Sequence, residues 1–457
     1  MASTANATHT TTNDKVALVF GISGDQGQAV AKGLLSTRSY KHVYGVTRDL
    51  TEEHIQSIER HMSASSSMPA PQTQQETNTT TTTAVTFLQV DLNNPSSLRS
   101  VFESTRATDI FLVTTTDMPP EEGAMGSFHE SEEREYESIV SFFNVLVEVH
   151  RKEWYDEHAS QEETKKPLER HVIFSTLDNV RGLVEWLESH GETKDVDELL
   201  KIKPSDDGGI VPHYSGKGRG AEHALSLIHG IPSPWKEQHP ESSRSSSAMN
   251  PPWMTTSEPT QSIIDGLSVT LVTLPFLHSN FSASAIPLPT NSKGRTIEWS
   301  ISACLGDSSH PLDMFSVSDL QYVIPTLFQQ RAKYQGRTVR LSAEKLTMDD
   351  VAYQFSDLFG KDVIYSPLTV EEMSSLEGIP GVPAWAQMCQ YLASAYASHD
   401  VEETERIMEV CGKKPQKFQD WLLTHSDDAG FEKVGLSLDG EHDALYSIGP
   451  YIYSLCT

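Results

Sequence analysis

Cysteine is scarce in this chain. Cys304, Cys389, Cys411 and Cys456 are the four cysteines in 457 residues, without paired spacing and without a histidine cluster at metal-ligand distance. That pattern excludes a disulfide framework and the common zinc motifs. The expectation is reduced, mostly buried thiols and a cytoplasmic location, with a nuclear or organellar one left open. Long apolar runs are missing as well, since none approaches the roughly 18 residues that a membrane span requires. The Ser/Thr-rich tail over residues 1–14 lacks the apolar core of a secretory signal and the arginines of a transit peptide, and is expected to be disordered. Positive charge is also in deficit, with 35 Lys+Arg against 63 Asp+Glu and a formal net charge of -28. So acidic a chain is expected to be soluble, and direct binding to nucleic acid or an anionic membrane is disfavoured. An oligomer stays open.

What the chain does have is a glycine loop. The run Val16 to Phe20, VALVF, is the apolar, partly β-branched sequence that a strand buried on both faces of a parallel sheet requires. It leads straight into Gly21, Ser23, Gly24, Asp25, Gln26 and Gly27, and then into a helix expected over 28–35. Gly21 permits the tight turn, Gly24 brings the backbone close to a pyrophosphate, and Gly27 lets the helix pack against the strand. The unpaired N–H groups of that helix face the phosphates. The spacing G-x-x-G-x-x-G is that of short-chain and extended dehydrogenase-like proteins.

About 22 residues on, a second strand over 42–47 ends at Arg48, the position that meets the adenosine ribose in such folds. An arginine there accommodates the 2′-phosphate of NADP, so NADP is favoured over NAD. Asp49 is the alternative ribose acid, and a solvated strand-end cation is the alternative reading of Arg48. A third strand over 85–90 ends at Asp91, which with Leu92 is a candidate adenine contact; equally, Asp91 could cap the next helix over 94–102. A fourth strand, Asp109 to Val113, delivers Thr114, Thr115 and Thr116 to the carboxyl edge of the sheet, where ligands bind. A long helix follows over 130–148, with Ile139, Phe142, Phe143, Leu146 and Val147 on its apolar side. Strands alternating with helices predict an α/β fold, a Rossmann-like doubly wound parallel sheet.

Insertions interrupt the pattern near 63–84, 151–169, 183–209 and 230–262. The first is Thr-rich and expected to be disordered; the charges of 184–200 suggest a solvated face; the Ser/Pro-rich last one reads as a solvated excursion, with a lid or partner loop as the alternative. Near the C-terminus, Trp421, Leu422 and Leu423 fit a final helix packing onto a small lobe.

The fifth strand, His171 to Phe174, ends at Ser175. In short-chain dehydrogenases a serine there polarises the substrate carbonyl, and a Tyr-x-x-x-Lys helix supplies the acid and the ribose-holding lysine. This chain has His213-Tyr-Ser-Gly-Lys217 instead, placing His213 and Lys217 on one helix face and turning Tyr214 about 100° away. Candidate catalytic residues are therefore Lys217, Ser175 and His213, the last a proton donor near neutral pH or an ordinary polar residue. Lys217 also serves cofactor binding.

The segments VFGISGDQG, VIFSTLDNV (172–180), HYSGKG (213–218) and LPFLHSNF (274–281) resemble the NmrA-like family of atypical short-chain dehydrogenases. DMFSVSDL (313–320), YQGRTVRLSAEKLTMDDVA (from Tyr334) and LEGIPGVPAWAQM (376–388) continue the resemblance, which spans 15–396 apart from insertions. It implies a Rossmann-like NAD(P) domain over 15–330 and a smaller, mainly helical C-terminal lobe over 331–457 for substrate or partner, interleaved with the later part of the first domain. It also implies one of two functions: a reductase passing hydride from NADPH to quinones or carbonyls, or a redox sensor that binds NADP(H) and acts through a regulatory protein partner. A histidine in place of the tyrosine with the lysine kept resembles the sensing branch.

Overall fold

Seven parallel strands carry the molecule: β1 (Lys15–Phe20), β2 (Tyr40–Thr47), β3 (Thr86–Gln89), β4 (Asp109–Val113), β5 (Arg170–Thr176), β6 (Leu267–Thr273) and β11 (Thr338–Arg340). Their order across the sheet is β11-β6-β5-β4-β1-β2-β3. The computed structural model describes residues 15–64, 84–114, 128–159, 167–190, 209–233, 258–283, 288–291, 297–303, 305–306, 310–374, 382–427 and 431. β1, β5 and β6 are covered on both faces: Ala17, Leu18, Val19 and Phe20 are buried, as are all seven residues of β5 and of β6, polar ones such as Arg170, His171 and Thr270 included. β1 sits between β2 and β4, so the order of strands reverses there and leaves a crevice at the carboxyl ends.

Helices cover both faces. On one, α1 (Asp25–Ser36) packs against α7 (Leu320–Gln329), so closely that a Cβ on Gly33 would lie 2.1 Å from the carbonyl oxygen of Gln321. On the other lie α3 (Pro95–Thr105), α4 (Phe128–Ala159) and α6 (Pro212–His229). Between α3, α4 and the sheet, Phe142 meets Phe20, Phe102 and Phe143 edge-on at 5.1, 5.3 and 5.1 Å. Truncating a ring so placed costs about 3–5 kcal/mol. α2 (Glu52–Ala64) follows β2, and α5 (Val180–His190) follows β5.

A second core lies beyond the carboxyl edge. It joins α5 and the start of α6 to two three-stranded sheets and to later helices, with Leu187, Phe276, Phe281, Ile301, Phe355 and Phe418 fully or nearly fully buried. One sheet runs β12 (Glu344–Thr347), β10 (Pro311–Phe315), β7 (Phe276–Leu277), and the other β13 (Val363–Pro367), β9 (Ile297–Ala303), β8 (Leu288–Asn291). The helices are α8 (Met348–Phe359), α9 (Val382–Leu392), α10 (Val401–Glu409) and α11 (Phe418–Thr424). A helical C-terminal region is thus present, and each of the two cores draws on residues from both before and after 331. β11 pairs with β6, and Ile407 and Met408 of α10 pack with the Rossmann side, because the chain returns to the sheet edge after entering the lobe.

Other boundaries move for local reasons. The helix expected over 130–148 continues to Ala159, across much of the expected 151–169 insertion, and Trp154 packs on Gly266. The expected solvated segment from 184 instead begins within α5, which buries Leu183, Val184, Trp186 and Leu187; residues 191–208 lie outside the described ones. Asn94, not Asp91, caps α3, accepting from the backbone N–H groups of Ser96 and Ser97 at 3.0 and 3.2 Å. Trp421 is buried on α11 as expected, and Leu423 is exposed. Of the cysteines, Cys389 is buried and Cys411 is exposed; Cys304 and Cys456 lie outside the described residues, as do the tail 1–14 and positions 65–83 and 234–257. No described helix is long and apolar enough to cross a membrane.

Candidate functional site

The glycine loop closes as the spacing requires. Gly21 stands at φ +79°, a backbone that favours glycine, and the Gly24 N–H donates to its carbonyl at 3.1 Å. A Cβ on Gly21 would lie 2.5 Å from Val113 Cγ1, and one on Gly27 2.2 Å from the Gly21 oxygen. α1 starts at Asp25, three residues before the expected start, so Gly27 lies in its first turn. Gly24 is its N-cap and has no side chain to bond the first N–H groups, which leaves them for an anion. Asp25 and Ser23 are exposed.

This loop forms one wall of a cleft of about 310 Å³. Of the expected site residues, Gly21, Gly24, Asp25, Gln26, Thr114, Ser175, His213 and Lys217 line it together. β1, β4 and β5 end at this edge and deliver the loop, Thr114 and Ser175, while α6 supplies His213 and Lys217 from above. The Ser175 hydroxyl donates to Gln26 Oε1 at 2.7 Å, tying the fifth strand to the glycine loop. Thr176 Oγ1 donates to the Lys217 carbonyl at 3.1 Å.

His213 lies at the start of α6, after Val211, whose φ of +41° is unusual for a β-branched residue and whose N–H donates to Gln387 Oε1 at 2.8 Å. Burial, reinforced by the Lys217 charge, pushes the His213 imidazole down to about 3, so it is neutral near pH 7. The expected proton donor is therefore already deprotonated. Its buried Nδ1 has no hydrogen-bond partner among the described residues. Tyr214 also lines the cleft, but it packs edge-on against Tyr391 at 5.4 Å, and burial followed by the charge of Asp178 drives its phenol far above the usual range.

Lys217 Nζ lies 3.7 Å from Glu135 Oε1, and Thr114 Oγ1 donates to that same oxygen at 2.7 Å. Helix packing makes this possible. A Cβ on Gly216 would lie 2.8 Å from the Glu132 carbonyl, and one on Gly220 2.6 Å from Ile139 Cγ2, so only glycines let α4 approach α6 this closely. Glu132, fully buried, takes both arms of Arg181 at 2.7 and 2.6 Å and a third contact from Arg219 at 3.2 Å.

Arg48, Asp91 and Leu92 do not line this cleft. Arg48 is exposed just past β2, its carbonyl accepting from Gln89 Nε2 at 2.8 Å. The neighbouring Asp49 carboxylate is engaged by Thr51, from N at 2.8 Å and Oγ1 at 3.2 Å. Asp91 turns back to accept from the Asn93 N–H at 2.9 Å, and Leu92 packs against the core. Thr115 and Thr116 lie outside the described residues.

Sequence reasoning missed Glu132 and Glu135, although a signal was present: positions 132, 135, 139, 142 and 146 continue one apolar stripe, and acids on such a stripe are buried. Asp178, Arg340 and Tyr391, from three distant segments, carried no local signal. Among the described residues, no group of His, Cys, Asp and Glu is arranged to hold a metal.

Residues 263–423 match the model of the NmrA-like family. The fold is similar to that of NmrA, a negative transcriptional regulator, solved in complex with NAD and, separately, with NADP. Each of these structures is 14% identical, with 90% of this chain and 94% of that chain covered and a TM-score of 0.52. A doubly substituted NmrA matches equally, at 14% identity and a TM-score of 0.53 over the same shares. The resemblance to the NmrA-like family read from the sequence is therefore found again in the family match over 263–423 and in the fold over most of the chain.

Proposed function

We propose that the cleft holds NADP(H), with NAD the weaker alternative, and that the chain is a redox sensor whose association with a regulatory protein partner follows cofactor occupancy. The single observation that carries this reading is a cofactor cradle without an acid ready to serve it. The open α1 N-terminus and the glycines at 21, 24 and 27 suit a pyrophosphate and Lys217 suits the ribose, while Arg48, exposed past the end of β2 and outside the cleft lining, is the residue that would meet a 2′-phosphate. NADPH, when bound, supplies the hydride donor. Reducing a carbonyl also requires a proton at its oxygen. His213 is neutral, the raised pKa of Tyr214 makes its phenol a poor proton donor, the Lys217 ammonium lies beside Glu135, and the Ser175 hydroxyl is directed at Gln26. Such a pocket suits holding the cofactor more than consuming it. A coupling of about 1–3 kcal/mol between occupancy and partner binding is the usual scale.

A reductase of quinones or carbonyls is the second reading. It is favoured by the apolar far wall of the cleft, where Leu274, Pro275, Phe276, Met388 and Leu392 could accept a flat substrate. Calorimetric titration with NADPH and NADH, followed by NADPH oxidation with a panel of quinones and aldehydes, separates the two. Tight NADPH binding without turnover supports the sensor; turnover lost in both Lys217→Ala and Ser175→Ala replaces it with the enzyme.

A further inference from the structure

Among the described residues, Glu135 is the carboxylate partner that the geometry gives Lys217 across the α4–α6 contact. The acidic side chain is 2% exposed and the lysine side chain 14%, 3.7 Å apart, so the acid sits behind the lysine and the lysine faces the cleft. Thr114, at the end of β4, fixes the acid's nearer oxygen by donating to it at 2.7 Å. Around this pair stand Thr114, Ser175, Thr176, Tyr214 and the deprotonated His213, and the acidic residue of the cleft lining itself is Asp25, exposed on the glycine loop. The floor of the cleft therefore presents a compensated charge pair instead of a bare cation.

We propose that Glu135 is a specificity-determining residue that sets the relative affinity of this site for the oxidised and reduced dinucleotide, by compensating the charge of Lys217. The inference rests on the reading that the cleft holds NADP(H). The nicotinamide ring is a cation in NADP⁺ and neutral in NADPH, whereas the pyrophosphate and the ribose phosphate are the same in both. A cation on the wall penalises the oxidised ring and leaves the reduced one nearly untouched, and an anion does the reverse. With Lys217 and Glu135 paired the two effects oppose each other, so the oxidised form is not rejected. For a redox sensor the ratio of these two affinities is the signal itself.

The test is the ratio of the dissociation constants for NADP⁺ and NADPH, measured by calorimetry on the full chain. Glu135→Gln keeps an oxygen for the Thr114 hydroxyl and removes the charge. It is expected to move the ratio toward NADPH by roughly fivefold, the size of one partly screened charge interaction. Lys217→Gln is expected to move it a similar factor toward NADP⁺. The double variant, which removes the whole pair and so strands no buried charge, is expected to return within about twofold of the parent. Glu135→Asp, which keeps the charge, stays near the parent ratio. A purely structural role for Glu135 weakens both forms alike and leaves the ratio fixed, and that outcome overturns the proposal. Should Glu135→Gln fail to fold, the double variant compared with Lys217→Gln reads the same charge; equal ratios there also overturn it. A parent protein that binds neither form refutes the cofactor reading beneath it, whereas binding of both forms with an unmoved ratio refutes only the role of Glu135.

Discussion

Asp178 and Arg340 form a largely buried two-armed ion pair, Nη1 to Oδ1 at 2.6 Å and Nη2 to Oδ2 at 2.9 Å. Asp178 follows β5 within three residues of Ser175, and Arg340 ends β11 at the edge of the main sheet. Tyr391 of α9 donates to the same carboxylate at 2.6 Å, and Arg340 Nε donates to the Ser398 carbonyl at 2.9 Å. The loop that carries the candidate site is thus bonded directly to the second core. Next to Asp178, the Asn179 backbone presses on Gly218, where a Cβ would lie 2.2 Å from Asn179 N, one residue beyond Lys217.

Breaking that pair is expected to destabilise the fold. Burial pushes the Asp178 carboxyl up, but the Arg340 guanidinium outweighs it and holds the acid below the usual range. Asp178→Ala strands a buried guanidinium and is expected to cost about 3–5 kcal/mol in urea unfolding. Asp178→Leu combined with Arg340→Met, which removes both charges, is expected to recover most of that loss.

Gly27→Ala is expected to weaken NADPH binding more than about tenfold while the chain stays folded. Its Cβ would lie 2.2 Å from the Gly21 carbonyl oxygen and 2.8 Å from Ile22 Cα, both backbone atoms, so the cradle itself has to open. Calorimetry with NADPH, beside a circular-dichroism melt, checks both halves; an unchanged affinity would show that the phosphates lie elsewhere.

Arg48→Gln is expected to reduce the preference for NADP over NAD by about tenfold, roughly 1.4 kcal/mol for one charge-assisted phosphate contact. Asp49→Ala is expected to leave NAD affinity within about twofold, because that carboxylate is already engaged by Thr51. A large loss of NAD binding in Asp49→Ala would make it the ribose acid after all.

Asp319 is expected to make stability fall with rising pH. Burial raises its carboxyl from 3.8 to about 7, although the Gln416 N–H at 2.7 Å favours the ionised form. Between pH 4 and 7 the unfolded chain releases this proton and the folded chain keeps it, so the folded state loses ground as pH rises through that window. Asp319→Asn removes this component; the difference between its urea-derived stability and the parent's is expected to grow in the variant's favour from pH 4 to pH 7.

His278 acts in the opposite sense. Burial, followed by the charges of His425 and Lys417, lowers the imidazole from 6.5 to about 3, and both ring nitrogens lack a hydrogen-bond partner among the described residues. The folded state keeps the ring neutral, so stability is lost as pH falls below about 6.5, where the unfolded histidine gains a proton. Its ring packs against Phe418 and Trp421 at 5.5 and 5.9 Å, and Glu344 lies 4.0 Å from Nε2. His278→Phe is expected to hold or raise stability at pH 7 and to shallow the acid limb of the stability curve.

Local signals were enough for the sheet and the loop. β1, β2, β4 and β5 begin and end within about two residues of where apolar runs and glycines place them, because a strand buried on both faces has little freedom in composition. Helix ends were less legible. Asp91 and Asn94 are both good caps, and only backbone geometry shows that Asn94 takes the role. α5 was misread because its acidic residues hid a face that the second core buries.

By itself, then, the amino-acid sequence determined the α/β class, the glycine loop and the placement of Ser175 and Lys217 at one edge. These depend on patterns spanning a few residues, and turn and strand chemistry is local. The tertiary structure alone decided how that edge is charged. His213 is neutral because it is buried, Lys217 is compensated because two glycines let α4 bring Glu135 beside it, and Asp178 meets Arg340 across 162 residues of chain. Charge states depend on burial and on partners brought from far away in sequence, and neither is set until the chain has folded.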